Sequence, residues 1–169
     1  MRKIVGPILM GLVLQEGMVF ADELPREAVL PLTMASKAAS VALEKCTKEG
    51  YRVSVAVVDR AGVLRAQLRG DGAGPHTIDS SRKKAYTAAS LQRPTSELAE
   101  LIVRTPAVQA MSEMNENILM LGGGLPIEIG GETVGAIGVG GAPGAQLDED
   151  CAKSGLDAIG AASKMPAAK

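Results

Sequence analysis

A chain of 169 residues has the length of a single domain and can bury a real core. Its 18 Lys and Arg nearly cancel 19 Asp and Glu, leaving a formal net charge of −1, which excludes the basic surface of a nucleic-acid-binding protein. Phe20, Tyr51 and Tyr86 are its aromatic residues, so the core must come from Val, Ile, Leu, Met and Ala, closely packed.

Residues 1–21 read as a secretory signal. Arg2 and Lys3 form a basic start, Ile4 to Leu14 an apolar run, and Val19-Phe20-Ala21 a small-residue cleavage site before Asp22. The run is too short to span a bilayer, so no stable membrane span is expected and the mature chain is expected to be exported, periplasmic or secreted. Residues 22–31, with two prolines and little periodicity, read as a tether; 32–163 form the domain and 164–169 a C-terminal tail.

Thr33 is placed to cap a helix in which Ala35, Ala38, Ala42 and Cys46 recur at helical spacing before the stop at Gly50. Val53 to Asp59 reads as a buried strand. After Arg60-Ala61-Gly62, Val63 to Arg69 alternates apolar and polar residues, so the two strands form an antiparallel hairpin. Asp71 to Pro75 breaks regular structure and delivers the chain to a helix opening near His76, the single histidine. On that helix Ile78, Ser81, Ala85, Ala88 and Ala89 make a narrow face that can lie close to a sheet. Ser80, Lys84, Thr87 and Leu91 make a second stripe that could line a cleft.

Thr95 and Glu97 open a short helix to Leu101 or Ile102, and Pro106 leads into a short turn or helix over Ala107 to Met114. Leu125 to Ile129 and Thr133 to Val139 read as strands joined across Gly130-Gly131. Gly135 and Gly138 weaken strand preference, which implies that a helix or a flat ligand comes close to the backbone there. Asp148, Glu149 and Asp150 put negative charge at the start of a last helix, where the macrodipole favours it. Hairpins separated by helices argue for an α+β domain with one antiparallel sheet.

The chemistry is sparse. One histidine and no serine elbow disfavour a hydrolase, and neither cysteine has a zinc-spaced partner. The glycine runs lack a phosphate-loop GK[ST] and read as turns and close packing. Cys46 and Cys151 allow one disulfide in an oxidising compartment, worth about 4 kcal/mol in a chain-entropy model, yet both also suit a buried apolar role. His76 at a helix entrance offers an imidazole nitrogen of the kind that binds a metal, although a solvated or capping role fits as well. For a haem, one axial nitrogen and an apolar groove suffice, with Met111, Met114 or Met120 as a soft second ligand or, equally, as packing.

Several blocks, taken in order, resemble the GlcG/HbpS family, whose relatives include the C-terminal domain of PduO-type proteins. They are Val53 to Asp59, Leu68-Arg69-Gly70-Asp71-Gly72-Ala73, Lys84-Ala85-Tyr86-Thr87-Ala88, Gly124-Leu125-Pro126-Ile127, Val134 to Gly141, and Asp148 to Ala152. The resemblance runs from about Leu32 to Ala162. It implies a five-stranded antiparallel sheet flanked by helices, similar to profilin or roadblock domains, and assembly into homo-oligomers. Exported members are associated with haem, its degradation or iron sensing. The Lys84-Ala85-Tyr86-Thr87 block is then nearest the haem, with Thr87 the matching iron contact. Gly70 stands where the family often has methionine, and Gly140 where it has serine.

The leading expectation is an exported, oligomeric haem-binding protein. The tetrapyrrole would lie against Gly135 and Gly138 and the Ser80, Lys84, Tyr86 and Thr87 face, with Lys84 or Arg82 meeting a propionate and Thr87 or His76 the iron. One alternative is a small-molecule enzyme, or an accessory to a periplasmic dehydrogenase, using Lys84 with Asp59 or Asp79 as acid and base. Another is an interaction module whose glycine strand is covered by a neighbouring chain.

Overall fold

The computed structural model describes residues 26–162, so the proposed signal and C-terminal tail lie outside the described residues. Leu30 is fully buried, which anchors the incoming chain to the core just before the first helix. Helix α1, Leu32–Lys48, starts after Pro31, an N-cap without a side-chain hydrogen bond; Thr33 lies inside the helix and does not cap it. Proline suits this boundary because it cannot donate the hydrogen bond that a helix interior requires.

Strands β1, Ser54–Asp59, and β2, Leu64–Arg69, form the expected hairpin. Asp59 shapes its turn: the carboxylate Oδ1 accepts from the amides of Ala61 and Val63, both at 3.0 Å. Helix α2, His76–Leu91, follows, then α3, Thr95–Arg104, and a 3-10 helix, Pro106–Glu113. Strands β3, Gly124–Ile129, and β4, Glu132–Gly140, make the second hairpin, its Gly130 and Gly131 at φ 63° and 84°, a turn geometry that glycine adopts at no steric cost. Helix α4 spans Ala145–Ala158.

The sheet runs β2-β1-β4-β3, all neighbours antiparallel. Among the described residues it therefore has four strands, not the five that the resemblance implies. At the free edge of β3 a single bridge takes the place of a further strand: after α4, Gly160 at φ 68° turns the chain, and Ala162 exchanges two backbone hydrogen bonds with Glu128 at 3.0 and 3.1 Å.

Strand pleating sends β1 side chains to two cores. Val55 and Val57 join α1 and α4 on one face, with Ile137, Val139 and Leu156. Ala56 and Val58 meet Ala85, Ala88 and Ala89 of α2 on the other, with Ala136. Small residues let both helical layers approach. A Cβ on Gly155 would lie 2.5 Å from the Ala38 carbonyl of α1, and Cys46 is disulfide-bonded to Cys151 with Cα atoms 5.6 Å apart. Because residue 46 meets 151 while 38 meets 155, α1 and α4 run antiparallel.

Candidate functional site

Helix α2 carries most of the residues singled out in the sequence, and the sheet divides them into a buried set and an outer set. It seats itself on β4 through missing side chains: a Cβ on Gly138 would lie 2.2 Å from the Ser81 carbonyl and 2.5 Å from the Ala85 amide. Gly135 presses instead on β1, where a Cβ would meet the Val58 carbonyl at 2.2 Å. Both glycines are thus covered by the chain's own backbone. The helix, and not a flat ligand or a neighbouring chain, accounts for the close approach at Gly138.

Lys84 is 2% exposed. Its Nζ donates to Asp148 Oδ2 at 2.8 Å and to the Val139 carbonyl at 3.0 Å, tying α2 to α4 and β4. Asp148 Oδ1 accepts from the Ala142 amide at 3.0 Å, and the buried neighbour Glu149 accepts from the Gly123 amide at 3.3 Å. Helix α4 starts three residues before Asp148, so this acidic pair acts as a lock between layers more than as a charge on a helix end. Burial pushes the Asp148 carboxyl above its ordinary value, and the ammonium of Lys84 only partly opposes that. A lysine enclosed in this way cannot reach a propionate at the surface, nor serve with Asp59, whose carboxylate shapes the first hairpin turn, as an acid-base pair.

Thr87 is fully buried. Its hydroxyl donates to the Lys83 carbonyl and accepts from the Leu119 amide, both at 2.8 Å, pinning the segment that leads into β3. Tyr86 lies half-buried over the first hairpin, where a Cβ on Gly62 would be 2.7 Å from its ring. Ser80 donates to the Thr77 carbonyl at 3.3 Å, and a Cβ on Gly140 would be 2.6 Å from its Oγ. The hydroxyl at that place therefore comes from α2, in keeping with glycine at 140.

The outer set is His76 and Asp79, both exposed, with Arg82 and Lys83, both partly buried. His76 is the first residue of α2, open to solvent, with its ring folded back on Gly74: a Cβ there would be 2.6 Å from the imidazole Cε1. It has no hydrogen-bond partner among the described residues. Arg82 donates through Nη1 to Asn117 Oδ1 at 2.8 Å and through Nη2 to Asp79 Oδ1 at 3.0 Å, with Lys83 3.2 Å from the second Asp79 oxygen. Partial desolvation raises the Asp79 carboxyl, but the hydrogen bonds and charges of Arg82 and Lys83 outweigh it and leave the group below its ordinary value.

Among the described residues no group of three or more His, Cys, Asp or Glu gathers as a metal site, and no helix is long and apolar enough to cross a membrane. In this arrangement Lys84, Thr87, Gly135 and Gly138 are buried and Ser80 is partly buried. Of the expected set His76 is exposed and Ser80, Arg82 and Tyr86 are partly buried, with His76 and Arg82 offering an imidazole nitrogen and a guanidinium. The enclosure of Lys84 was not visible in the sequence, because its partner Asp148 lies 64 residues away.

A family model described as "Haem degrading protein HbpS-like" matches residues 30–157. The chain is 35% identical over 115 residues to Protein GlcG of Escherichia coli strain K12, covering 67% of this chain and 82% of that one. A solved structure of a double mutant of Streptomyces reticuli HbpS is 40% identical, covers 92% of this chain and 97% of that chain, and superposes with a TM-score of 0.75. The structure of a PduOC:Heme complex shares the fold at a TM-score of 0.74 and 23% identity, covering 82% of this chain and all of the other (100%).

Proposed function

Because the chain belongs to the HbpS-like family, we propose that it is an exported haem-binding protein. The observation that carries this reading is the family match over residues 30–157, joined to an unpartnered, solvent-open imidazole at the entrance of α2. When bound, haem would supply redox-active iron. His76 would hold the iron through one ring nitrogen, and Arg82, with Lys83 one residue on, would meet the propionates from the exposed side of α2. Thr87 takes the role of positioning residue: through the Leu119 amide it fixes the segment beside α2 that carries Asn117, the acceptor for Arg82.

Two further observations support the wider reading. A disulfide between Cys46 and Cys151 suits an oxidising compartment, in keeping with a leader over residues 1–21. Among the described residues Val103, Met114 and Leu121 are apolar side chains 77%, 55% and 49% exposed, and assembly into a homo-oligomer would cover such side chains.

Titrating haemin into the purified chain tests the proposal. A saturable Soret shift is expected, with His76→Ala changing both the spectrum and the affinity and Arg82→Ala weakening affinity without changing the spectrum. An identical spectrum for His76→Ala would remove the imidazole from the account. Mass spectrometry of the exported protein should find Asp22 as the N-terminus.

A further inference from the structure

The C-terminal end of α1, the segment 50–52 and the end of β2 line an open cleft of about 410 Å³ at the edge of the sheet. Gly70 lines it and packs closely on the chain itself, since a Cβ there would lie 3.0 Å from the Val53 carbonyl and 3.2 Å from Leu43 Cδ1. Leu43 and Tyr51 give it an apolar wall. Arg52 and Arg69 stand on its rim beside a single carboxylate, Asp71.

The two guanidiniums differ in a useful way. Arg69 is held in place: its Nε donates to the Ala73 carbonyl at 3.0 Å and its Nη2 donates to the same oxygen, leaving Nη1 free. Arg52 lies over Gly72, whose positive φ of 72° and missing side chain let it pass, since a Cβ there would be 3.2 Å from Arg52 Cδ. Neither Arg52 nor Asp71 has a hydrogen-bond or ion-pair partner among the described residues. The cleft thus offers one fixed cation, one free cation, one free acceptor and an apolar wall, within the volume range of small-molecule sites.

We infer that this cleft binds a small organic carboxylate with an apolar body and a hydroxyl or amino group next to the carboxylate. The guanidiniums of Arg52 and Arg69 take the carboxylate, for which their planar donors are suited. Asp71 accepts from the neighbouring donor, and Leu43 with Tyr51 covers the apolar body. A dianion is disfavoured because Asp71 faces it.

The experiment is calorimetric titration of the disulfide-bonded chain with mandelate, with phenylacetate, which lacks the hydroxyl, and with inorganic phosphate. Mandelate should bind saturably and at least fivefold more tightly than phenylacetate, with phosphate weakest. Arg52→Ala, a change at an exposed residue, should weaken mandelate at least tenfold with an unchanged melting temperature. Asp71→Asn should erase the preference for mandelate over phenylacetate. No saturable mandelate binding, an unchanged affinity in Arg52→Ala, or tighter binding of phosphate would overturn the inference. Haemin titration of Arg52→Ala should match the parent chain, so loss of this site and loss of haem binding are separate outcomes.

Discussion

Reduction of the Cys46–Cys151 bond is the perturbation whose size follows most directly from the fold. The bond joins residues 105 apart in sequence and staples α1 to α4, the two helices that cover one face of the sheet. In the chain-entropy relation a closed loop of that length restricts the unfolded chain by about 16 cal/mol/K, or about 4.7 kcal/mol at room temperature. Domains have only about 5–15 kcal/mol of stability in total, so reduction should remove a large share of it. With a urea slope of about 2 kcal/mol/M, the midpoint should fall by roughly 2 M. The assay is urea unfolding followed by far-ultraviolet circular dichroism, with and without reductant, alongside a Cys46→Ala/Cys151→Ala variant. Reductant should shift the parent to the variant's midpoint and leave the variant unmoved. Equal midpoints for oxidised and reduced parent, with equal slopes, would refute the reasoning, as would two titratable thiols in the untreated protein.

The interior of the α2 side yields three further predictions. Lys84→Met leaves Asp148 as an unpaired buried carboxylate and should cost about 3–5 kcal/mol in urea unfolding at neutral pH, with part of the loss recovered in Lys84→Met/Asp148→Asn. Gly138→Ala drives a Cβ into the Ser81 carbonyl and should destabilise by at least about 1–3 kcal/mol, whereas an ordinary exposed helix position would gain from the same exchange. Carboxyl titration by NMR should place Asp148 above the ordinary aspartate value and Asp79 below it. The signs for stability are then opposite. The native state holds the Asp148 proton more tightly than the unfolded chain, so its contribution is complete below the unfolded aspartate pKa and is lost as pH rises through the raised native value. For Asp79 the contribution is present above the unfolded value and is lost as pH falls through the lowered native one.

Elements whose signal is local could be read directly from the chain. Alternation in Val53 to Asp59 and Val63 to Arg69, and glycine at 130 and 131, mark two hairpins that the fold contains. The small-residue face of α2 marks a helix lying close to a sheet, as Ala85, Ala88 and Ala89 do. What depends on distant partners could not be read. Helical spacing places Ser80, Lys84 and Thr87 on one stripe, but only the position of β4 and α4 turns that stripe inward, where Lys84 meets Asp148 and Thr87 meets Leu119. The pairing of Cys46 with Cys151 needed the antiparallel contact of α1 and α4 to become definite. Thr33 carries a capping side chain, yet proline at 31 opens the helix before it. The edge of the sheet, where Ala162 makes one bridge to Glu128, has no strand-like sequence of its own to announce it.

These constraints move the haem reading outward, from the glycine strand to the exposed entrance of α2. The most direct test is a stepwise haemin titration of the disulfide-bonded chain, followed in the Soret region against a buffer blank. The account predicts a shifted band that saturates at a fixed ratio of haem to chain and changes position in His76→Ala. Absorbance that rises linearly as the sum of protein and free haemin would contradict it.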